Sequence, residues 1–171
     1  MEPKKKRADA NRGQPQNTVV GIGASAGGLK ALQRLFNELP DDTGYAFAIV
    51  IHLKADTESH YAEVLQPSTP MPVTQIQQEV PLKANHVYVI PPDYYLQTTG
   101  SHLRPVKPTE SDKVRTPIDH FFRSLALSHK ENAIGILLSG TGSDGVLGLR
   151  ELKSTGGIVL VQDPQEAEFD G

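Results

Sequence analysis

The chain alternates between short, continuous apolar runs and segments whose apolar residues recur at helical spacing. Continuous apolar runs of this length are typical of parallel strands that are covered on both faces. The apolar runs predict strands over residues 18–23, 45–51, 133–138 and 157–161. The helical spacing predicts helices over residues 26–39, 59–65, 117–130 and 143–154.

In the middle of the chain the pattern changes to short strands separated by turns. Residues 73–76 and 86–90 are predicted to be strands, and residues 94–97 and 102–104 a hairpin around Thr99-Gly100-Ser101. The alternation of strands and helices elsewhere predicts an open sheet. The predicted fold class is therefore α/β, with a doubly wound, mostly parallel sheet, flanking helices and a small antiparallel hairpin insertion.

The amino-terminal segment has neither of these patterns. Residues 1–17 are polar, include the basic run Lys4-Lys5-Lys6-Arg7 and lack periodic apolar positions. They are predicted to form a flexible basic tail or linker. Residues 18–171 have the length and the aliphatic content of one domain with its own core.

The composition narrows the classes of function. The 171 residues include no cysteine, which excludes disulfides, thiolate metal sites and cysteine nucleophiles. The formal net charge of −3 gives no broad nucleic-acid signature. No apolar run approaches the roughly 20 residues that a membrane span needs. Since no signal peptide is visible either, the protein is predicted to be cytoplasmic, without membrane insertion.

Three chemically capable side chains follow three of the predicted parallel strands. Ser25 follows the first of these strands, His52 the second and Asp144 the third. In a doubly wound sheet, ligands bind beyond the carboxyl ends of the strands, and these ends share one edge. The three residues are therefore predicted to meet at one edge of the sheet.

A serine, a histidine and an aspartate in one place are the residues that a serine hydrolase needs. Serine is a weak nucleophile at neutral pH unless a histidine accepts its proton and a carboxylate orients the imidazole. The backbone N–H groups of Ala26 and Thr141, in glycine-rich turns, are the candidate oxyanion donors. Each of these three residues also has a common structural role as the alternative to a catalytic one. Ser25 and Asp144 are both suited to cap a helix, and His52 to be a surface or core group.

A second interpretation of the first junction is nucleotide binding. Gly21-x-Gly23-x-x-Ala26 matches the dinucleotide fingerprint, which follows a strand and precedes a helix. That fingerprint expects an acidic residue at the end of the second strand, where this chain has His52. The same junction fits the nucleophile-elbow pattern G-x-S-x-G around Ser25. However, the order Ser, His, Asp differs from the order in α/β-hydrolases.

At these residues the chain resembles the catalytic domain of CheB-type protein-glutamate methylesterases of bacterial chemotaxis. The resemblance covers residues 18–171 and includes the strand that ends at His52. Its other motifs are IGASAGG at 22–28, YVIPPD at 88–93, RTPID at 115–119 and ILLSGTGSDG at 136–145.

The resemblance implies a serine hydrolase that cleaves glutamyl γ-methyl esters on chemoreceptors and deamidates glutamines with the same machinery. It implies Ser25 as the nucleophile, His52 as the base and Asp144 as the orienting acid, with no cofactor and no metal. The implied partners are the cytoplasmic helices of methylated chemoreceptors or another methylated signalling protein. The resemblance also places Arg115 and Asp119 near the active edge. They are candidates for lining the substrate groove, with a helix cap or a helix-start salt bridge as the alternative.

Three departures from the family's pattern lead to further expectations. No receiver domain precedes residues 18–171, and the chain stops before the family's final helix, so the domain is expected to be C-terminally truncated. Residues 139–145 and Gln162-Asp163-Pro164 look more like the versions that are fused to methyltransferase and sensor modules. The missing receiver and the truncated end favour an alternative function, a low-activity regulatory or interaction domain of a multidomain sensor protein. The presence of Ser25, His52 and Asp144 argues against that alternative.

One carboxylate and five histidines remain to be assigned. Asp163 follows the last predicted strand and is therefore the rival to Asp144 for the orienting role. The other histidines show no metal-ligand spacing and are expected at the surface or in structural contacts: His60, His86, His102, His120 and His129.

Overall fold

The structure is a computed structural model that describes residues 18–25, 27–52, 60–109, 115–140 and 142–167, so the predicted tail lies outside the described residues. In this part of the chain, no helix is long and apolar enough to cross a membrane. The helices are α1 Gly28–Glu38, α2 Tyr61–Leu65, α3 Pro117–His129 and α4 Val146–Ser154. The strands are β1 Val19–Ala24, β2 Ala46–Ile51, β3 Val73–Gln75, β4 Val80–Pro81, β5 His86–Val89, β6 Tyr95–Thr99, β7 His102–Val106, β8 Ala133–Leu137 and β9 Ile158–Val161.

The larger sheet is parallel and has the strand order β3-β5-β2-β1-β8-β9. Its register pairs Ile22 of β1 with Ile49 of β2 and with Ile136 of β8, so the carboxyl ends of these three strands are level. The chain leaves β1 toward β2 on one side and later returns to β8 on the other. The carboxyl end of β1 is therefore the point where the strand order reverses, which is where doubly wound sheets bind their ligands.

Helices cover both faces of this sheet, as the sequence pattern predicts. On one face α1 contributes Leu32 and Phe36 to the core, and the ring of Phe36 meets Phe47 of β2 edge-on with 5.4 Å between centroids. On the other face α3 contributes Phe121 and Leu125. Every residue of β1 and β2 is buried, which explains their continuous apolar sequences. The predicted doubly wound α/β class is confirmed.

Helix α3 lies directly on β1 because β1 has glycine at the contact. A Cβ atom at Gly23 would lie 2.3 Å from Cγ2 of Ile118, and one at Gly21 would lie 2.8 Å from Cε1 of Phe121. A close-packed interior has no room for an atom at either distance. The glycine spacing that matches a nucleotide fingerprint is thus accounted for by helix packing. The same contact brings the start of α3 to the carboxyl end of β1.

The predicted hairpin is part of a three-stranded antiparallel sheet. Strands β6 and β7 pair as predicted, and β4 adds to β7 with Val80 opposite Leu103. The sequence pattern does not reveal β4, since two residues cannot show an alternation. This smaller sheet packs on α3, where the Oγ of Ser124 accepts the N–H of Thr98 at 2.7 Å.

His129, the last residue of α3, is a buried histidine. It is 2% exposed, and neither ring nitrogen has a hydrogen-bond partner among the described residues. Burial lowers the pKa of His129 below the ordinary value of 6.5. The unfolded chain therefore binds a proton on this imidazole at pH values where the folded chain does not. The stability that depends on the neutral ring is present above about pH 6.5 and is lost as the pH falls below it.

We expect urea denaturation to give a lower free energy of unfolding at about pH 5.5 than at about pH 7.5. The difference should be at most about 1.4 kcal/mol, because pH 5.5 lies one pH unit below the ordinary pKa of histidine. His129→Leu should remove most of this difference, because leucine does not titrate. His60→Gln is the control, because it replaces an exposed histidine and keeps His129, so the part of the pH dependence that His129 causes should remain. A full pH dependence in His129→Leu would contradict the assignment.

Candidate active site

Ser25 lies directly after β1, in the turn that leads to α1. Its backbone N–H donates to the carbonyl of Ser139 at 3.1 Å, and its own carbonyl accepts the N–H of Gly28 at 3.0 Å. The N-cap of α1 is Gly27, in the left-handed conformation with φ of 77°, and no described side chain caps this helix. The interpretation of Ser25 as an N-cap is therefore wrong. Ser25 lines a cleft at the edge of the sheet instead.

His52 is the first residue after β2, and its backbone N–H donates to the carbonyl of Ala24 at the end of β1. Its imidazole Nε2 lies 2.6 Å from Oδ2 of Asp144. In a neutral imidazole one ring nitrogen donates and the other accepts. An ionised carboxylate only accepts, so in the neutral tautomer that fits this pair Nε2 donates to Asp144 and Nδ1 accepts. When the ring is neutral, His52 thus has the arrangement that a general base needs, with one nitrogen held by a carboxylate and the other able to accept a proton.

Asp144 is held by the first turn of α3. Its Oδ1 accepts the N–H of Asp119 at 2.8 Å, and its Oδ2 accepts the N–H of Ile118 at 3.0 Å. The first N–H groups of a helix have no partner within the helix, so Asp144 caps α3 from another part of the chain. A negative charge at this end of a helix is also favoured by the helix dipole. The alternative role for Asp144, as a cap of the helix that follows it, is wrong, since that helix has Gly145 as its N-cap.

Ser25, His52 and Asp144 line one cleft at the carboxyl edge of the sheet. The side chain of His52 is 37% exposed and that of Asp144 is 10% exposed, so the carboxylate is the more shielded of the two. The remaining lining residues are apolar or glycine: Ala24, Ile118, Leu137, Leu138, Gly140 and Gly142. Burial in such surroundings is costly for a charged group, so the cleft suits a short uncharged group such as an ester.

The candidate oxyanion donors Ala26 and Thr141 lie outside the described residues, so their role stays a prediction. Each is next to a described residue of the site. The turn after β8 lies against Ser25, because a Cβ atom at Gly140 would be only 3.0 Å from the Cβ of Ser25. Glycine at this position therefore allows the turn to approach the serine closely.

Arg115 lines a second pocket, which shares His52 with the cleft. Its guanidinium donates to the carboxylate of Asp93, and both side chains are partly exposed. Asp93 has a φ of 62°, which is uncommon for a residue other than glycine. Asp93 was not singled out from the sequence, although it ends the YVIPPD motif. A role for Arg115 in the substrate groove stays a prediction.

Asp119 is only 4% exposed. Its Oδ1 accepts the N–H of Gly145 at 3.0 Å and the N–H of Gly148 at 2.7 Å, at the start of α4. These contacts fit the alternative role of Asp119 as a helix cap. The helix that Asp119 caps is α4, although Asp119 itself belongs to α3. No contact among the described residues tests whether Asp119 lines the substrate groove, so this role stays a prediction.

The two residues after β9 bond backbone groups, and one of these groups belongs to a residue that contacts Ser25. The carboxylate of Asp163 accepts the N–H of Gln165 at 2.9 Å and so stabilises its own turn. The Oε1 of Gln162 accepts the N–H of Ser139 at 2.7 Å, and the carbonyl of Ser139 accepts the N–H of Ser25. Gln162 is therefore a supporting residue. The sequence showed it only as part of a motif, because nothing local reveals that β9 ends beside β8.

The other histidines make contacts away from the cleft. His60 Nδ1 lies 3.1 Å from Oε2 of Glu63, and His86 Nδ1 lies 3.0 Å from a backbone carbonyl. The ring of His120 stacks on Tyr95 with 4.5 Å between centroids. Across the described ranges, no group of three or more histidine and carboxylate side chains has the arrangement of a metal site.

The fold and the site together define the class of the protein. A doubly wound α/β domain with a serine, a histidine and an aspartate in one cleft at the carboxyl edge has the architecture of an α/β hydrolytic enzyme. The model of the family described as CheB methylesterase matches residues 20–171. The chain belongs to the CheB methylesterase family, and the resemblance found in its motifs is confirmed.

The chain is similar to a curated protein and a solved structure that are named as methylesterases, and also to a protein called uncharacterized. A protein-glutamate methylesterase/protein-glutamine glutaminase of Hydrogenovibrio crunogenus is 32% identical over 162 residues, covering 92% of this chain and 43% of that protein. An uncharacterized 104.1 kDa protein of Rhodobacter capsulatus is 40% identical over 110 residues, covering 64% of this chain and 11% of that protein. The crystal structure of the Thermotoga maritima CheB methylesterase catalytic domain matches with a TM-score of 0.82 and 26% identity, over 91% of this chain and 84% of that chain. The chain thus spans less than half the length of the Hydrogenovibrio and Rhodobacter relatives.

Proposed function

We propose that this domain hydrolyses glutamyl γ-methyl esters on the cytoplasmic helices of methylated chemoreceptors. Ser25 is the nucleophile, His52 the general base and Asp144 the orienting acid. The observation that carries the proposal is the 2.6 Å hydrogen bond between His52 Nε2 and Asp144 Oδ2, in the cleft that Ser25 also lines. Membership of the CheB methylesterase family and the printed name of the Hydrogenovibrio relative support the choice of substrate.

In the acylation step, Ser25 Oγ attacks the carbonyl carbon of the ester and Nδ1 of His52 takes the hydroxyl proton. The carbonyl oxygen becomes an oxyanion, for which the N–H groups of Ala26 and Thr141 are the proposed donors. Asp144 stabilises the imidazolium that forms. When the tetrahedral intermediate collapses, the bond to the methoxy group breaks, and His52 gives its proton to the departing oxygen, so that methanol is released.

In the deacylation step, water attacks the acyl-serine while His52 accepts a proton from it. The imidazolium then returns this proton to Ser25 Oγ, and the glutamic acid that leaves gives the second proton of the water to solvent and becomes the carboxylate. The same steps on a glutamine carboxamide release ammonia in place of methanol, so deamidation is part of the proposal. Ser25 and water are the nucleophiles in these steps and His52 is the acid and base, so the proposed mechanism needs no cofactor or metal.

A second part of the proposal concerns where the domain acts and the kind of protein to which it belongs. We infer that it acts in the cytoplasm as part of a larger signalling protein with methyltransferase and sensor modules. Residues 139–145 and Gln162-Asp163-Pro164 support this inference. The Rhodobacter relative supports only the part of the inference that concerns size, because the match covers 11% of that protein. The substrate is then a chemoreceptor or another methylated signalling protein.

Methanol release from methylated chemoreceptor tests the proposal. Receptor-containing membranes with radiolabelled methyl esters are incubated with the chain, and volatile methanol is collected. We expect release above the level without enzyme, whereas receptor with glutamine at the same sites should yield ammonia and no methanol. A chain that is folded by circular dichroism but releases neither product would contradict the proposal. That result would favour the alternative, a low-activity regulatory or interaction domain.

A further inference from the structure

A buried carboxylate at the junction of α3 and α4 has no part in the chemistry described above. Asp119, in the first turn of α3, is 4% exposed. Its Oδ1 accepts the N–H of Gly145 at 3.0 Å and the N–H of Gly148 at 2.7 Å. These groups belong to the amino-terminal end of α4, so Asp119 caps α4 from the neighbouring helix.

The capping runs in both directions between the two helices. The backbone N–H of Asp119 donates to Oδ1 of Asp144 at 2.8 Å, while its side chain accepts from Gly145, the residue that follows Asp144. With the bond from Gly148, these three hydrogen bonds form what we call the Asp119 clamp. We propose that Asp119 is a positioning residue, which holds Asp144 in the orientation that His52 requires.

The packing of α3 against α4 leaves the Asp119 clamp little room to move. A Cβ atom at Gly148 would lie 2.8 Å from the carbonyl oxygen of Asp119, so the two backbones are in direct contact. Gly145 has a φ of 103°, and a Cβ atom there would lie 2.8 Å from Cγ2 of Ile118. Glycine at both positions allows both N–H groups to reach the same carboxylate oxygen.

Loss of the Asp119 clamp acts on catalysis through Asp144. Without the carboxylate of Asp119, the N–H of Gly145, which follows Asp144, and the N–H of Gly148 in α4 both lose their acceptor. A displacement of about 1 Å in a catalytic group lowers a rate by about 10²-fold. Because Asp119 is buried and acts through Asp144, the loss falls on kcat and leaves KM unchanged.

The first test compares Asp119→Ala with Asp119→Asn in methanol release, a readout that rests on the proposed function. Asparagine keeps an Oδ1 acceptor for both N–H groups, whereas alanine has none. We expect Asp119→Ala to lower kcat by about 10²-fold at an unchanged KM, and Asp119→Asn to retain most of the wild-type kcat. A loss confined to KM, or equal losses of kcat in the two variants, would overturn the proposal.

The second test does not depend on the substrate. The His52 Nε2–H that donates to Asp144 gives a low-field proton resonance in NMR spectra when the bond is ordered. We expect this resonance in the wild type and in Asp119→Asn, and its loss in Asp119→Ala. An unchanged resonance in Asp119→Ala would overturn the proposal. A wild-type chain with the resonance but without methanol release would contradict the proposed function alone, and the resonance of the variants would still decide the role of Asp119.

Leu152→Ala separates positioning from a general loss of stability. Leu152 is fully buried on α4 and packs beside Gly135 of β8, so its truncation leaves a cavity and destabilises the same helix. We expect this variant to unfold at lower urea concentration but to keep the wild-type kcat and the His52 resonance. If it loses as much kcat as Asp119→Ala at the same loss of stability, the role of Asp119 is structural and the proposal is overturned.

Discussion

Ser25→Ala is expected to lower methanol release from methylated chemoreceptor by at least about 10⁴-fold, with the free energy of unfolding unchanged. The alanine removes the oxygen that attacks the ester, and neither His52 nor Asp144 can form the acyl intermediate in its place. The hydrogen bonds of Ser25 to Ser139 and Gly28 use main-chain atoms and remain. Initial rates of methanol release and urea unfolding curves measure the two quantities.

Ser154→Ala is the matched control for this substitution. Ser154 is exposed at the carboxyl end of α4, and its hydroxyl donates to the carbonyl of Glu151 at 2.7 Å. The change also removes a serine Oγ, but at the carboxyl end of α4 and outside the cleft. The wild-type rate of methanol release is therefore expected. Equal rates in Ser25→Ala and Ser154→Ala would show that hydrolysis does not pass through Ser25.

Asp144→Ala is expected to lower activity and stability together, whereas His52→Ala should lower activity alone. Without the carboxylate, nothing fixes the tautomer of the imidazole, and the rate of methanol release falls by about 10⁴-fold. The same change leaves the N–H groups of Ile118 and Asp119 without their acceptor. Losing a helix cap of this kind lowers the free energy of unfolding by about 1–2 kcal/mol. His52 is 37% exposed and caps no helix, so His52→Ala should stay within about 0.5 kcal/mol of the wild type.

Asp163→Ala serves as the control for the loss of a carboxylate at the same edge of the sheet. Asp163 stabilises its own turn, so methanol release at the wild-type rate is expected. Equal losses of stability in Asp144→Ala and His52→Ala would contradict the capping role of Asp144. A rate in Asp163→Ala as low as that of Asp144→Ala would assign the orienting role to Asp163.

Much of the fold could be predicted because its signals are local. The continuous apolar runs of β1 and β2 indicate strands that are buried on both faces, and the structure buries every residue of both strands. The helices α1, α3 and α4 lie where the helical spacing places them. Strand β4 is the exception, because two residues are too few for a pattern. Pairing with β7 sets the position of β4, with Val80 opposite Leu103.

Capping at the site could not be predicted from local preference. Serine and aspartate next to a helix commonly cap it, yet Gly27 is the N-cap of α1, and Asp144 caps α3 across the chain. The roles of Asp119 and Gln162 were hidden for a similar reason. Each bonds a backbone group that is more than twenty residues away in the chain.

The sequence by itself determined the α/β class, the family and the position of Ser25, His52 and Asp144 after three parallel strands. These properties depend on the period of apolar residues and on motifs, which are readable over short stretches. Only the tertiary structure decided that His52 bonds Asp144 across 92 positions of the chain, and that the same carboxylate caps α3. Such contacts depend on the order of the strands in the sheet and on the close approach of α3 to the glycines of β1, which no local pattern specifies.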